Sequence, residues 1–434
     1  MFDFTVEPEF QEKLDWIMKF VKEECEPLDY LFPGHGAPYD ASNELQQRVL
    51  RPLQQQVKDQ GLWACHLDPH LGGKGYGQLK LALMNEILGR SYWAPTVFGT
   101  AAPDTGNAEI LAMFGTEAQK AKYLQPLLDG EIVSTFSMTE PHAGADPREF
   151  TCRAWQEGDE WVIEGEKWFS SNSRYASFLI VLAVTDPEAH ISNRMSMFIV
   201  PRETPGLETI RDVGLMGDDL GDDTGMHGYL RYNKVRVPLD HMLGGPGMGF
   251  RVAQARLGGG RVHHAMRTVG KCQRALDMML ERAVSRRTRG QLLADQQFVQ
   301  GMIADSAIEL EQFRLLVLKT AWIIDTQPHG AARTHIGMCK VQMAKIYHDI
   351  VQRAIQLHGS LGVTNETPLA TMWQGLPSLA LADGPTEVHK VQVARAYLKN
   401  AIPAEGLFPS EHILPRLEAV KAKYAHILGE EKVA

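Results

Sequence analysis

The sequence predicts an α+β fold that is mainly α: a helical N-terminal domain, a middle antiparallel β domain and a C-terminal four-helix bundle. Two observations predict it. Apolar spacing changes from helical to strand-like near Glu131, and it changes back after "LGGPGMGF". Helices and strands are therefore segregated, whereas a doubly wound parallel sheet would alternate them. The length of 434 residues fits this division, since it exceeds what one small core supports. We place the domains at 1–130, 131–245 and 246–434.

The elements follow in chain order. "FQEKLDWIMKFVKEECEPL" sets Phe10, Leu14, Ile17, Met18 and Val21 at helical spacing. "NELQQRVLRPLQQQVKDQGLW" does the same and stops at Gly61. "TEAQKAKYLQPLLDGE" is a further short helix closed by Asp-Gly. "EWVIEGEKWFSS", "FLIVLAVT", "MSMFIVP" and "GYLRYNKVRVP" are short runs rich in β-branched and aromatic residues, with "QEGDEW" as a hairpin turn. From Val262 to Ala283 the three-four spacing of apolar residues returns. Helical patterns then cover about 295–326, 331–358 and 386–400.

Composition excludes several classes. A net charge of -9 argues against a phosphate-tracking nucleic-acid binder. Five dispersed cysteines without Cys-x-x-Cys fit free thiols in a reducing compartment. The acidic, amphipathic N-terminus reads neither as a secretory signal nor as an Arg-rich transit peptide. No apolar run reaches membrane-spanning length. These features lead us to expect a soluble, cytoplasmic protein with no membrane and no nucleic-acid partner. "GGKGYG" and "GGPGMG" lack the full dinucleotide or P-loop pattern and read as connections. His263 and His264 are adjacent on a helix and point about 100° apart, so they do not share a metal. We expect no metal site.

Four segments carry chemistry together. "FSMTEPHAGADP" combines an apolar run, a Thr and a Gly/Pro loop. "EGEKWFSSN" puts Phe169 and Ser171 two apart on a strand, hence on one face. "SRRTRGQLLADQQ" clusters three arginines around a threonine, which taken alone reads as a solvated surface. "LADGPTEVHK" sets Asp383 in a turn before a helix. Taken alone, Asp383 reads as a helix N-cap.

These segments resemble the acyl-CoA dehydrogenase family, flavoenzymes that desaturate acyl-CoA thioesters, and the resemblance covers nearly the whole chain. It implies FAD as cofactor. Phe136, Met138 and Thr139 fall where the family contacts the flavin ring, and Ala145 replaces a Ser that touches flavin or CoA. His142 replaces a Gly of the same motif. Phe169, usually Trp, and Ser171, usually Thr, face the isoalloxazine. Arg286, Thr288 and Gln297, with Gln356, Gly359 and Ser360, match residues that reach the FAD of a neighbouring subunit. A homodimer or homotetramer is therefore implied.

Asp383 takes the place of the usual catalytic Glu, with Gly384 and Pro385 in place of Gly-Thr. Pro385 and Glu387 are implied on the FAD side, and Arg261 at the substrate. Some relatives keep the base just before that Arg, where this chain has Gly260, so that alternative base is absent. Exclusion of water by a bound acyl chain strengthens a carboxylate as a base.

The implied activity is α,β-desaturation of an acyl-CoA, with an electron-transferring flavoprotein as acceptor. "RLGGGRVHHAMRTVG" with "LADGPTEVH" is similar to a sub-branch fused to, or encoded beside, aminoglycoside-phosphotransferase-like kinases. For it the alternative is flavin-dependent phosphate elimination from 4-phosphoacyl-CoAs in 4-hydroxy acid catabolism, with a pathway kinase as partner. Of another class, a non-catalytic flavin-bound scaffold or nucleic-acid binder also stays open, since fold does not fix function.

Overall fold

The computed structural model describes residues 5–34, 36–67, 69–218, 225–328 and 330–428. The chain divides into two compact units, Met1–Lys390 and Val391–Ala434. The first begins with helix α1 (Pro8–Phe20), which buries Phe10, Leu14 and Ile17 and has its proline in the first turn, where no N–H is missed. Helix α2 (Glu44–Asp59) is capped by Asn43, whose Oδ1 accepts from Gln46 N at 3.2 Å. It ends before Gly61, whose φ of +69° suits glycine. Helix α3 (Gly77–Leu88) follows "GGKGYG". Its leading amides, Gln78 N and Leu79 N, donate to Asp325 at 2.7 and 2.8 Å. A protein carboxylate thus takes the anion position at this helix start. Helix α4 (Asp104–Phe114) leads toward the sheet.

The strands are β1 (Ser134–Ser137), β2 (Arg153–Glu157), β3 (Glu160–Ser171), β4 (Phe178–Val184), β5 (Met195–Pro201), β6 (Leu207–Val213), β7 (His227–Pro238) and β8 (Met242–Leu243). Their order in the sheet is β6-β7-β3-β2-β4-β5-β8, with β1 beside β4. The sheet is not purely antiparallel. β1 runs parallel to β4, from Ser134↔Phe178 to Ser137↔Val181, and Arg153 bridges Val184 in parallel. Neither pair is joined by a tight turn, so the antiparallel hairpin rule does not bind them. Strand β4 is buried along its whole length. Phe178, Ile180 and Leu182 enter one core with Leu111 and Val252, while Leu179, Val181 and Ala183 enter another with Leu230 and Tyr232. A strand covered on both faces reads as a continuous apolar run, as "FLIVLAV" does.

Three long helices follow: α5 (Gly249–Ser285), α6 (Gln297–Thr326) and α7 (Arg333–His358). Between α5 and α6 lies a small hairpin of β9 (Arg287–Thr288) and β10 (Gln291–Leu292). Ile17, Phe20 and Trp93 share one apolar core with Met266, Cys272, Phe313 and Tyr347, so the N-terminal helices and the later bundle are packed as one. Helices α3 and α5 cross very closely. A Cβ on Gly270 would lie 2.0 Å from Glu86 O, so only glycine fits there. A short helix ends at Leu381, and helix α8 (Thr386–Leu398) starts after the turn that carries Asp383. The second unit, by itself, carries helix α9 (Ile413–Lys423) with no buried residue.

No helix among the described residues is long and apolar enough to cross a membrane. All five cysteines are free and buried.

Candidate active site

Asp383 sits in the left-handed region, with φ +56°, and is followed by Gly384 at φ +100°. A non-glycine residue in that conformation is strained and needs holding. Its carbonyl supplies the hold, accepting from Arg261 Nε at 2.8 Å and lying 3.3 Å from His389 Nε2. The carboxylate is left for other work. Among the described residues it accepts no hydrogen bond, and it does not cap α8, which begins only at Thr386. Oδ1 lies 3.9 Å from Arg256 Nη1, and Oδ2 lies 3.8 Å from His264 Nε2. These are contacts of charge and position, beyond hydrogen-bond length. The side chain is 17% exposed.

Helix α5 presents the opposite wall. Positions 256, 260, 264, 267 and 271 recur at helical spacing along one stripe, and they read Arg, Gly, His, Arg, Lys. Gly260 is the gap in that stripe: a Cβ there would stand 3.3 Å from Asp383 Oδ2. Arg256 is buried, with its guanidinium 4.1 Å from the centre of the Phe136 ring and Nε on Asn107 Oδ1 at 3.1 Å. Asn107 in turn donates to Ser134 Oγ at 2.8 Å. Ser134 N and Oγ both donate to Asp104 Oδ1. Arg267 is buried and donates to Thr100 O at 2.9 Å.

Burial sets the charges here. It lowers the pKa of Arg256, against the opposing pull of Asp383. It pushes His264 down to about 3, reinforced by Arg267 and opposed by Asp383, so this imidazole is neutral at ordinary pH. Burial likewise brings Lys340, which donates to Leu379 O, down to about 8. Asp104 is pushed up to about 6 by burial, although Ser134 bonds it.

The sheet wall is built differently. Strand β1 and the loop after it carry Phe136, Met138 and Thr139. Thr139 O accepts from Trp168 N at 2.9 Å, and Met138 O accepts from Lys167 Nζ at 2.6 Å. Lys167 and Glu140 form an ion pair at 2.9 Å with both side chains out of solvent. Glu140 also accepts from Thr151 N and Cys152 N. A register shift between Lys167 and Ser170 marks a bulge in β3, and inside it Phe169 has φ +53°. Phe169 is 40% exposed. Ser170 points inward to Ser137 Oγ at 2.9 Å, whereas Ser171 Oγ lies 2.8 Å from His227 Nδ1. The Phe169 ring is 5.9 Å from the His227 ring. Phe169 and Ser171 therefore meet at one residue.

Of the residues singled out in the sequence, Asp383, Arg261 and Phe136 are gathered at α5. Met138, Thr139, Phe169 and Ser171 are gathered at the end of β3. Arg261 engages the backbone of Asp383. Phe136 is buried beneath Arg256, while Ala145 is exposed. Pro385 is half-buried and Glu387 exposed. Arg286, Thr288 and Gln297 lie exposed on the hairpin and at the start of α6, and Gln356, Gly359 and Ser360 lie exposed at the end of α7. Among the described residues no hydrogen bond or ion pair ties these six to Asp383 or to Phe169.

Sequence reasoning missed Arg256, Lys167, Glu140 and His227. Arg256 stands one turn before Gly260, and the helical stripe was the signal available for it. The others look like ordinary charged or polar residues on strands and turns.

The sheet wall fits a flat cofactor with polar edges. Directly after the exposed Phe169 ring and Ser171 come Asn172 and Ser173. The Asn172 side-chain amide and the Ser173 hydroxyl are buried and have no hydrogen-bond partner among the described residues. Such groups are costly unless something pairs them.

The chain matches three acyl-CoA dehydrogenase domain families: the N-terminal domain over residues 7–131, the middle domain over 135–233 and the C-terminal domain over 247–398. It is 42% identical over 354 residues to the probable acyl-CoA dehydrogenase FadE2 of Mycobacterium tuberculosis, covering 81% of this chain and 86% of that one. It is 38% identical to acyl-CoA dehydrogenase family member 11 of Rattus norvegicus, covering 90% of this chain but only 50% of that relative's length. The solved butyryl-CoA dehydrogenase of Megasphaera elsdenii superposes with a TM-score of 0.79 at 26% identity, over 92% of this chain and 100% of that one. The chain therefore belongs to the acyl-CoA dehydrogenase family of FAD-dependent oxidoreductases.

Proposed function

We propose that this protein desaturates an acyl-CoA thioester between its α and β carbons, with Asp383 as the base. The observation that carries the reading is a strained, largely shielded carboxylate that accepts no hydrogen bond among the described residues, opposite the gap in the α5 stripe. A carboxylate so placed takes the α-proton of a thioester laid along α5. Arg261 and His389 keep the Asp383 backbone in the pose that presents it. FAD, when bound, supplies the acceptor for the β-hydrogen and its two electrons. Phe169, Ser171, Met138 and Thr139 would hold its ring. Arg286, Thr288, Gln297, Gln356, Gly359 and Ser360 would serve the FAD of a second subunit in a homodimer or homotetramer. An electron-transferring flavoprotein is the proposed acceptor, and the cytoplasm the proposed location.

A specific observation favours a second reading, phosphate elimination from a 4-phosphoacyl-CoA delivered by a partner kinase. Arg256, Arg261 and Arg267, all largely buried, lie within electrostatic reach of Asp383, and neutral His264 stands beside its Oδ2. An uncharged alkyl chain has no use for three guanidinium groups, whereas a phosphoryl group does.

Mixing the FAD-loaded enzyme anaerobically with butyryl-, hexanoyl- and 4-phosphovaleryl-CoA tests both readings. Bleaching of the flavin by the plain acyl-CoAs supports desaturation. Phosphate release without an added acceptor supports elimination. Neither signal from any thioester would refute both.

A further inference from the structure

The Ser171 hydroxyl has a neighbour for which the desaturation chemistry above has found no use. Ser171 closes β3 and His227 opens β7, and the two residues are direct partners in the antiparallel register. Ser171 Oγ and His227 Nδ1 are 2.8 Å apart. The surroundings are held from both sides. Thr135 Oγ1 donates to Ser171 O at 2.9 Å, and Asn172 N donates to Met226 O at 2.8 Å. Neither side chain is an unrestrained surface group, and the His227 ring also stands edgewise to the Phe169 ring, at 61°.

A serine hydroxyl has one proton to give and two lone pairs. Imidazole Nδ1 either carries a proton or accepts one, according to tautomer. If Nδ1 carries the proton, it donates to Ser171 Oγ, and the hydroxyl proton is left to point outward. If Nδ1 is bare, the hydroxyl proton turns inward, and Ser171 offers only lone pairs to whatever lies above it. The nitrogen of His227 that holds the proton thereby decides whether Ser171 acts as donor or acceptor. The N5 edge of a flavin accepts a hydrogen bond when oxidised and donates one when reduced. A hydroxyl backed by an imidazole can meet both demands, which a hydroxyl backed by a backbone carbonyl cannot.

We propose that His227 is a positioning residue that sets the direction of the Ser171 hydroxyl toward the flavin edge. The proposal rests on the reading that Phe169 and Ser171 face FAD. His227 touches the cofactor through Ser171 and takes no part in moving the substrate proton.

The test uses the FAD-loaded full-length protein with Ser171→Ala, His227→Leu, His227→Asn and the double variant Ser171→Ala/His227→Leu. The readouts are the flavin absorption spectrum and the FAD dissociation constant, with circular dichroism to confirm folding. Ser171→Ala and His227→Leu are expected to displace the flavin bands alike and to weaken FAD binding roughly 2- to 10-fold, the effect of one hydrogen bond. His227→Asn, which returns a polar atom near the place of Nδ1, is expected to restore both. The double variant is expected to be no worse than either single one, as coupled residues behave. A wild-type spectrum and affinity in His227→Leu, with Ser171→Ala shifted, would overturn the proposal, as would additive effects in the double variant. A silent Ser171→Ala would instead overturn the underlying placement of Ser171, and the proposal with it. Should His227→Leu not fold, His227→Asn against His227→Gln decides: equal spectra would overturn the role of Nδ1.

Discussion

Around Asp383 the molecule buries charge with few partners, while around Phe169 and Ser171 it buries neutral hydroxyls and exposes a ring. On the helix wall, Arg256, Arg267 and Lys340 are drawn from water, and among the described residues no hydrogen bond occupies the Asp383 carboxylate to which their charges couple. On the sheet wall, the buried ion pair Lys167–Glu140 sits behind the surface, with further hydrogen bonds to Met138 O, Thr151 N and Cys152 N. The difference matches the two roles proposed for these walls. A wall that moves a proton keeps a carboxylate unsatisfied and poised, and this costs stability. A wall that holds a flat ring spends its charged groups on rigidity and presents only soft, neutral contacts.

The sharpest way to break the contrast is Asp383→Asn. Turnover of acyl-CoA should fall about 10²- to 10⁴-fold, the worth of a general base, while FAD stays bound. Steady-state assays beside the flavin spectrum check it, and near-normal turnover would remove Asp383 from its role.

On the sheet wall the largest effect should be on stability. Lys167→Met leaves Glu140 charged and buried, and should cost about 3–5 kcal/mol in urea unfolding. The double variant Lys167→Met/Glu140→Gln should recover part of that. A cost below about 1 kcal/mol would show that the pair does not pin the wall.

The histidines behind the helix wall distinguish it by pH. Burial pushes His66 down to about 4, with Arg267 adding to the effect. As pH falls below 6.5 the unfolded chain takes up a proton that folded His66 refuses. Stability should therefore fall between pH 6.5 and about 4, by up to about 3 kcal/mol for this residue. His264, lowered to about 3, acts in the same direction. Asp104 and Glu86, both raised to about 6, act in the opposite direction. They cancel when His66→Gln is compared with the wild type. His66→Gln should show the shallower fall on acidification, and parallel curves would contradict this.

The smallest effect concerns Gly260. Gly260→Ala should stabilise the helix by about 0.5–1 kcal/mol yet reduce kcat several-fold, because the new Cβ meets Asp383 Oδ2 at 3.3 Å. An increase in stability with kcat unchanged would show that the carboxylate has room to spare.

Much of this arrangement was legible in the sequence, and the parts that were not share a cause. The order of helices, strands and helices followed from apolar spacing, because each element buries one face or stripe. Asp383, Phe169 and Ser171 stood out only through the resemblance of their segments to the acyl-CoA dehydrogenase family. Lys167 and Glu140 did not: charged residues on a strand and a turn read as solvated until the fold closes over them. The outward turn of Phe169 depends on a bulge and a positive φ that nothing about a phenylalanine announces. The parallel pairing of β1 with β4, and the shared core of the N-terminal helices with α5–α7, are long-range contacts that local pattern does not encode. Asp383 itself read as an N-cap. Only its carbonyl contacts to Arg261 and His389 show that the turn holds the carboxylate away from the helix.

The most direct test of the central claim separates proton removal from oxidation. The FAD-loaded enzyme is incubated in deuterium oxide with a 3-thia-acyl-CoA, whose β position has no hydrogen to give, and the α carbon is followed by NMR. The account predicts steady deuterium incorporation by the wild type and none above the buffer rate by Asp383→Asn. Equal exchange by the two proteins would show that another group is the base.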